Sequence, residues 1–547
     1  MRTYDTLLTY FISWVILTLV WIAIVPLTIP ELHNNPFYVI ISSLLFFLGV
    51  LLIFIYFIAL KKQQGKIKSE LKEFQKKGMQ VFTKKFELML YTRDIAEIPR
   101  LVRLFFNFNP FVVVQPNNIE ELKQIIDLCE TYKIPLIPRG RGTSGYGGAL
   151  PLKNGIVVLL TKFQKIISID EENLTVEVEC GVTWENLRKF LVSKGYTLQT
   201  YPSSALSSTI AGWVIQGGYG IGSAKYGSVS KSVLSVNFIG TKGIEFQKVD
   251  PEIIVGSCGT LGILINLKLK IIRSTKLIHV AVSSSDQTSL IKALAAYQDL
   301  NPYLIRFIDQ QNLIWQDSEI LKSKLISPNI GGGVIAMSYQ EEDWHEEEFE
   351  LISSQYALTS LPYDFSKELW DERFYTLRLK RKGPSLIISE VLVPTSHLGN
   401  FIDQISKAYN RNIYAIELLP TIDGLTVVMV WFLTDMRKLS LPIIGSLTHV
   451  FRLVRSIEVI QIARRNKGLP YSTGFWLSPF SKIVLKDQLN KMKQLKKEID
   501  PNKIFNPGKV WGIWIPKFFP IIPWYIPMRL LIPIINIIFR IFPQKYR

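Results

Sequence analysis

Cysteine and histidine are scarce in this chain: three Cys and five His in 547 residues. Cys129, Cys180 and Cys258 lie far apart with no C-x-x-C pair. That excludes a self-contained Cys₄ cluster or zinc ribbon and suits a reducing compartment. The histidines are equally scattered, and only His345, in Trp344-His-Glu-Glu-Glu348, adjoins an acidic run. That run reads as a solvated face, so no metal is expected. The net charge of +18 asks for an acidic partner, yet no basic helix or aromatic-interleaved motif of a nucleic-acid reader accompanies it.

Charge is absent from two long stretches. Residues 7–29 and 37–60, of 23 and 24 residues, contain no Asp, Glu, Lys or Arg. Each exceeds the ~20 residues a helix needs to span a bilayer. With mean hydropathy at +0.21, the pair predicts a transmembrane helical hairpin over 1–62, retained because no small-residue cleavage site follows it. Residues 61–85 then hold nine Lys against two Glu. The positive-inside rule therefore places the N-terminus and the catalytic part in the cytoplasm, with the lysines on anionic headgroups of the bilayer. Ile67, Leu71 and Phe74 recur at helical spacing, so 63–90 reads as a basic juxtamembrane helix, either in the membrane interface or as a simple linker. At the other end, prolines at 516, 520, 523, 527 and 533 break up an apolar tail over 512–547. A monotopic dip into the leaflet is expected there rather than a third span.

Glycine is what the middle of the chain has in quantity. Pro138-Arg-Gly-Arg-Gly-Thr-Ser-Gly-Tyr-Gly-Gly148 carries five glycines in nine residues. Such a loop leaves several amide N–H groups free to converge on an anion. Gly140, Gly142 and Gly145 spell G-x-G-x-x-G, but the loop runs into Gly147-Gly-Ala-Leu-Pro151 and a strand at 155–160. The helix that a Rossmann fingerprint needs is missing, and phosphate binding remains. Around the loop, a strand at 111–115, a helix at 118–132 and a strand at 134–138 precede it. Strands at 155–160 and 174–178 follow, then a helix through Trp184, Leu187 and Leu191 capped by Thr183. Two more small-residue stretches, 207–223 and 256–263, suggest several bare backbone segments lining one extended ligand.

Five pieces in order carry a resemblance: the loop 138–148, Thr209-Ile-Ala-Gly-Trp-Val-Ile-Gln-Gly-Gly218, Lys225-Tyr-Gly-Ser-Val229, Gly256-Ser-Cys-Gly-Thr-Leu-Gly-Ile263 and Ile499-Asp-Pro-Asn-Lys-Ile-Phe-Asn-Pro-Gly-Lys509. Together they resemble the vanillyl-alcohol oxidase (PCMH-type) FAD-binding superfamily, nearest its D-lactate, glycolate and alkyl-dihydroxyacetone-phosphate branch. The resemblance covers about residues 90–511. It implies an α+β architecture: a two-lobed FAD-binding domain over 91–275, an antiparallel-sheet cap over 276–490, and a return segment over 491–511.

By position, the resemblance implies that Pro138, Arg139, Gly140, Arg141, Gly142, Thr143, Ser144 and Gly145 hold the FAD pyrophosphate. Thr209, Gly212, Gly217 and Gly218 would run along the flavin and ribityl chain, and Ser208, Gln216 and Tyr226 would also contact the cofactor. Gly259, Thr260, Gly262 and Ile263 would support the adenosine half, with Asn506 closing the site. Three departures accompany it. Thr143 stands where many relatives carry a flavin-linking His, so the FAD is expected to be noncovalent. Cys258 replaces a usual Glu and reads as a small buried thiol. Leu469-Pro-Tyr-Ser-Thr-Gly-Phe-Trp476 lacks the His-Gly pair of the hydroxy-acid enzymes.

In the cap, the Arg- and aromatic-rich run 368–382 resembles the family's Trp…Arg segment. Arg373 and Arg378 are candidate anion anchors, and Tyr375 and Tyr471 candidate proton-handling or positioning groups. The resulting expectation is a membrane-anchored FAD-dependent dehydrogenase. It would take a hydride from a hydroxy acid or alcohol and pass electrons to a quinone or protein acceptor. Two alternatives stand beside it: an oxidase or reductase of an isoprenoid- or sterol-like lipid, and a non-catalytic flavin-binding electron-transfer or scaffold subunit.

Overall fold

The structure, a computed structural model, describes residues 36–511 apart from 97, 99–105, 107, 153, 317–329, 384 and 434–441, together with 514–515 and 526–527. Helix α1 (Pro36–Lys76) runs 41 residues without a break, so the expected separation of span from linker does not occur. Its C-terminal half leans on the domain that follows. Ile67 and Leu71 are buried in the main core and Phe74 packs against it. Gln63 donates to the Tyr132 carbonyl at 3.3 Å, and Tyr132 donates to Glu70 at 2.6 Å. The spacing that suggested an interfacial helix thus serves protein packing instead. Along the N-terminal half, ten large apolar side chains from Phe37 to Ile58 stay exposed. Among the described residues no helix is long and apolar enough to cross a membrane. The expected hairpin is therefore not part of the described architecture. Its first arm, 7–29, lies outside the described residues, as does almost all of the tail beyond 511.

The first lobe is a four-stranded sheet: β1 (Gln80–Phe82), β2 (Val112–Gln115), β3 (Leu136–Arg139) and β4 (Ile156–Leu159), ordered β1-β2-β4-β3. β2 and β3 both run parallel to β4, and their continuous Val, Ile and Leu content suits strands covered on both faces. Between β1 and β2 lies α2 (Lys85–Met89). Between β2 and β3 lies α3 (Ile119–Thr131), opened by the Asn118 side chain accepting from the Glu121 amide and burying Leu122, Ile125, Ile126 and Cys129.

The second lobe comprises β5 (Ile166–Asp170), β6 (Thr175–Glu179), α4 (Trp184–Val192, capped by Thr183), β7 (Tyr196–Leu198), α5 (Ile210–Gln216), β8 (Val233–Ile239), β9 (Glu245–Val249) and β10 (Ile263–Arg273). Its sheet runs β5-β6-β10-β8-β9, with β7 pairing the far end of β10.

The cap is one antiparallel sheet of eight strands, built from β11 (Leu277–Ser284), β12 (Leu304–Ile308), β13 (Gly333–Gln340), β14 (Thr359–Ser360), β15 (Ile387–Pro394), β16 (Tyr414–Pro420), β17 (Leu425–Phe432) and β18 (Leu469–Pro470). The order is β14-β11-β13-β12-β16-β17-β15-β18. Alternation divides its residues between two faces. Ile305, Phe307, Leu418, Val428 and Val391 pack with α6 (Gln287–Asp299) and α9 (Leu398–Ala408) in one core. The opposite face turns to the FAD-type lobes: Leu304 joins their core and Leu419 packs against it. The chain then returns through α11, the helix Gln488–Ile499, to the first lobe, α7 (Gln310–Gln316), α8 (Tyr363–Asp371) and α10 (Pro442–Arg465) having served the cap.

Candidate functional site

Strand β3 ends at Arg139, whose side chain folds back beneath the glycine loop. Its Nη1 donates to the Ala149 carbonyl at 3.1 Å and its Nη2 to the Arg93 carbonyl at 2.7 Å. The guanidinium lies over Tyr91, 5.6 Å from the ring centroid. The loop winds so tightly round it that a Cβ on Gly142, where φ is +67°, would sit 2.1 Å from Arg139 Nη2. A Cβ on Gly140 would lie 2.3 Å from Thr209 Oγ1, and that hydroxyl is committed to capping α5 through the Gly212 amide at 3.3 Å. Bare backbone is thus required by close approach, not by surface flexibility. The amides of Arg141 to Gly145 donate to no backbone carbonyl among the described residues, as an anion cradle requires.

This cradle is one wall of a groove open to solvent and lined by Pro138, Gly140–Ser144, Gly148, Ala149, Ser204, Ser208, Thr209, Gly212, Trp213, Ile215, Gln216 and Cys258. Small Gly, Ser and Thr residues on two separate segments, free amides at one end and an apolar Trp213–Ile215 wall fit a long ligand with a diphosphate. FAD is such a ligand.

The wall nearest the cap is locked by hydrogen bonds. Gln216 donates to Ser472 Oγ at 2.7 Å and to the Thr473 carbonyl at 2.6 Å. Ser472 returns a bond to the Gln216 carbonyl at 2.8 Å, and Thr473 donates to the Gly256 carbonyl at 2.6 Å. The Cys258 thiol lies 3.2 Å from Thr473 Oγ1, and burial pushes it up to about 11. It is an inert small group, as thiolate chemistry needs a depressed pKa. Tyr471 Oη accepts from the Tyr219 amide at 2.8 Å and donates to the Tyr219 carbonyl at 2.7 Å. A Cβ at Gly218 would lie 2.3 Å from it.

Underneath, the return segment clamps the loop. Leu136 and Phe505 form a parallel bridge. Asn506 donates to the Gly148 carbonyl at 3.0 Å and the Cys258 carbonyl at 2.6 Å. Lys509 donates to the Gly147 carbonyl at 2.7 Å. Burial lowers the Lys509 pKa and raises that of Asp94, although each charge favours the other.

On the cap side, the sheet face turned toward the lobes carries polar groups. Glu390 on β15 and Glu417 on β16 both pair with Met429 on β17, so they share a face about 10 Å apart at ~4.8 Å per strand. Burial, aided by the Glu417 charge, pushes the Glu390 carboxyl up to about 8. By area Glu390 is half-buried, whereas protein surrounds it closely enough to desolvate it fully. The Tyr471 amide donates to the Glu390 carbonyl at 3.2 Å, so this strand adjoins the groove's cap-side wall. Beside Glu417, Arg306 on β12 gives Nε to Glu417 Oε1 at 2.5 Å.

Of the residues expected from sequence, the groove gathers Pro138, Gly140, Arg141, Gly142, Thr143, Ser144, Ser208, Thr209, Gly212 and Gln216. Arg139 turns beneath the loop, and Gly217, Gly218, Gly145 and Asn506 stand around the groove rather than on its lining. Tyr226 donates instead to Gln340 of the cap at 2.8 Å. Gly259 packs on Pro138, Gly262 on the Ile239 carbonyl, and Thr260 donates to the Ser257 carbonyl at 2.7 Å. Ile263 begins β10 in the core. These four shape the turn beneath the groove.

In the cap, Arg378 is held bidentately by Glu372 at 2.6 and 3.0 Å, and Tyr375 is exposed. The anchor role expected of Arg378 is thereby taken up within its own segment, and Tyr471 has both bonding capacities of its hydroxyl engaged. Arg373 is buried between Trp370 and Phe374, 3.8 and 4.1 Å from their centroids, and donates to the Trp370 carbonyl and to Tyr201 Oη. Glu390, Glu417, Arg306 and Lys509 were missed. Isolated charges within apolar strands are the one trace the first three leave in the sequence. Among the described residues no group of three or more His, Cys, Asp or Glu side chains is placed to hold a metal.

Residues 110–246 match the family model described as FAD binding domain, and 483–510 the one described as FAD linked oxidases, C-terminal domain. The chain is 25% identical over 438 residues to the glycolate oxidase subunit GlcD of Bacillus subtilis, covering 74% of this chain and 89% of that protein. It is 27% identical over 444 residues to a mitochondrial D-lactate dehydrogenase (cytochrome) of Kluyveromyces lactis, covering 74% of each. A solved alkyldihydroxyacetonephosphate synthase superposes with a TM-score of 0.65 at 19% identity, over 81% of this chain and 85% of that one. It shares the fold.

Proposed function

We propose that this chain, which is an FAD-dependent oxidoreductase, oxidises a small 2-hydroxy acid and works at a membrane. The observation that carries the reading is the groove of bare backbone whose cap-side wall adjoins a sheet face bearing buried charges. Bound FAD supplies the two-electron acceptor for the oxidation. The amides of Arg141–Ser144 would hold its phosphates, and Ser208, Thr209, Gly212 and Gln216 would line its length. The Gln216–Ser472–Thr473 network fixes the wall between the groove and the cap, and would hold that wall in place for the reaction. Tyr471, pinned twice to Tyr219, positions that wall. Glu390 Oε accepts the proton of the substrate hydroxyl. A carboxyl poised near 8 is a far stronger base when ionised than an ordinary glutamate.

The membrane part of the reading rests on α1. Its exposed apolar half would gain about 1.5–3 kcal/mol per side chain on leaving water, and the lysines that follow suit anionic headgroups. Electrons would then leave for a quinone or a protein acceptor at that surface. The same helix favours a second reading, a lipid substrate entering from the leaflet. Anaerobic titration of the purified, detergent-solubilised protein separates them. Glycolate or D-lactate should bleach the bound flavin and a soluble quinone restore its colour. Bleaching by isoprenoid alcohols alone would select the lipid reading, and absence of flavin would remove both.

A further inference from the structure

Two cations and one carboxylate lie against the glycine loop from beneath, and they do not close into a salt bridge. Lys509 is 0% exposed. Its ammonium donates to the Gly147 carbonyl at 2.7 Å and lies 5.8 Å from the Phe475 ring centroid. Arg139 is spent on the Ala149 and Arg93 carbonyls. Asp94 belongs to a segment tied to the loop by the Ile95 amide, which donates to the Ser144 carbonyl at 3.1 Å. Its Oδ1 accepts from the Ala96 amide at 3.0 Å, and its Oδ2 is buried without a hydrogen-bond partner among the described residues. Holding up a carbonyl needs only a neutral donor, as Asn506 supplies to the adjacent Gly148. A full charge buried for that purpose alone would carry its desolvation cost with no matching return.

Covalent geometry fixes how near these charges come to the cradle. Arg139 Nη2 lies 2.1 Å from the place of a Cβ on Gly142, hence within about 3.6 Å of the Gly142 Cα. Lys509 Nζ, one carbonyl and one peptide bond away, is within about 5.3 Å of the Gly148 nitrogen. Gly142 and Gly148 both line the groove. Both cations therefore stand directly behind the backbone that meets the cofactor, and neither has to enter the groove. The titratable and charged groups facing Lys509 are Asp94, Cys258 and Arg139. Burial draws the Lys509 pKa down to about 7, the Asp94 charge opposes that fall, and the Arg139 charge adds to it. Cys258 stays neutral, because burial raises its thiol.

We propose that Lys509 is a charge anchor for the cofactor diphosphate that acts through the loop backbone rather than by contact, with Arg139 as its fixed companion and Asp94 as the positioning residue that keeps Lys509 charged. This rests on FAD occupying the groove. Two cations against one carboxylate leave one positive charge behind amides that would meet a dianion. A closed Asp94–Lys509 pair would cancel much of that field, and the unpaired Asp94 Oδ2 is what an open arrangement leaves. The dependence on pH has a definite sign. The diphosphate favours the charged ammonium, so FAD is held most tightly below about 7. Above that value its hold weakens by at most about tenfold per pH unit, as Lys509 gives up one proton.

Flavin release from the purified holoenzyme tests it, read as flavin absorbance in the filtrate after dilution between pH 6 and pH 9. Release from the wild type should quicken toward high pH. Lys509→Arg, whose charge does not titrate in this range, should flatten that rise and hold FAD more tightly than the wild type at pH 9. Asp94→Asn should move the rise to lower pH, since Lys509 then loses the neighbour that favours its charge. Lys509→Met should release FAD on the order of tenfold faster at pH 6; if it does not fold, the Arg and Asn variants decide alone. Glu390 also titrates near this range, but it is the same in all four proteins, so differences among them belong to Lys509. Wild-type release independent of pH, or an equal rise in Lys509→Arg, would reduce Lys509 to a prop for the Gly147 carbonyl and overturns the anchor. Protein that purifies without flavin and takes none up would instead sink the FAD groove itself, and the anchor with it.

Discussion

Glu390 shows how much one buried carboxyl can set. Its pKa rises from 4.5 to about 8 through burial first and the Glu417 charge second. If Glu390 takes the substrate proton, kcat/KM should climb about tenfold per pH unit below 8 and level off above it. Glu390→Gln should abolish that limb, as a pH–rate series on one hydroxy acid will show. Stability moves the opposite way. The folded state holds the proton more tightly than the unfolded chain, so this group's contribution is complete below pH 4.5 and falls as pH rises to about 8. Thermal midpoints of wild type and Glu390→Gln should therefore draw apart in favour of the variant between pH 5 and pH 9. Neither effect was legible beforehand, because Ser389-Glu-Val-Leu-Val393 reads only as a strand with one charge in it. Its burial depends on which sheet face meets the neighbouring lobes.

At the scale of elements, the return segment after α11 does more than end the chain. Asp500 accepts from the Ile504 and Phe505 amides at 2.9 Å each, shaping a turn that presents Asn506 and Lys509 to the carbonyls of the glycine loop. Without that support the loop's own carbonyls would be buried and unpaired. Asn506→Ala strips the Gly148 carbonyl of that loop and the Cys258 carbonyl of the neighbouring turn of their donor, so a loss of about 2–4 kcal/mol is expected from two unmet buried acceptors. Flavin release should also quicken. Chemical denaturation and dialysis followed by flavin fluorescence check the two halves separately, and retention of both would contradict the clamp. The periodic elements here were readable: α3 at 119–131 against an expected 118–132, α4 with Thr183 as cap, and strands β2, β3, β4 and β6 lie within a residue or two of expectation. Their signals are local. The clamp is not local, since Asn506 and Gly148 are 358 residues apart.

For the whole molecule, α1 acts as a strut. Its basic half is tied to the lobes by Ile67, Leu71 and the Tyr132–Glu70 bond, and its uncharged half is about 36 Å long for 24 residues at 1.5 Å each. On α2, Phe86, Met89 and Leu90 are also exposed, beside Lys84 and Lys85. With anionic vesicles, the full chain should float in a density gradient and resist 1 M salt, because apolar insertion is not screened. Phe86→Ser/Met89→Ser/Leu90→Ser should weaken vesicle binding without releasing the protein. Quantitative elution by salt alone would reduce the attachment to surface charge and remove the inserted helix from the account.

What the amino acids settled alone were the features whose cause is near in sequence: the glycine cradle and its phosphate chemistry, the caps and periods of single helices and strands, the two uncharged N-terminal stretches, and, through five motifs in order, the flavin-binding resemblance. The fold alone decided which charges are buried and how they pair. It set the Arg139 side chain beneath the loop, occupied Arg378 with Glu372, turned Ile67 and Leu71 inward, and brought Arg306, Glu417 and Glu390 onto one face. The physical reason is desolvation. A side chain's charge is known from its identity, but the strength of that charge depends on neighbours that only the packed sheet and lobes bring together.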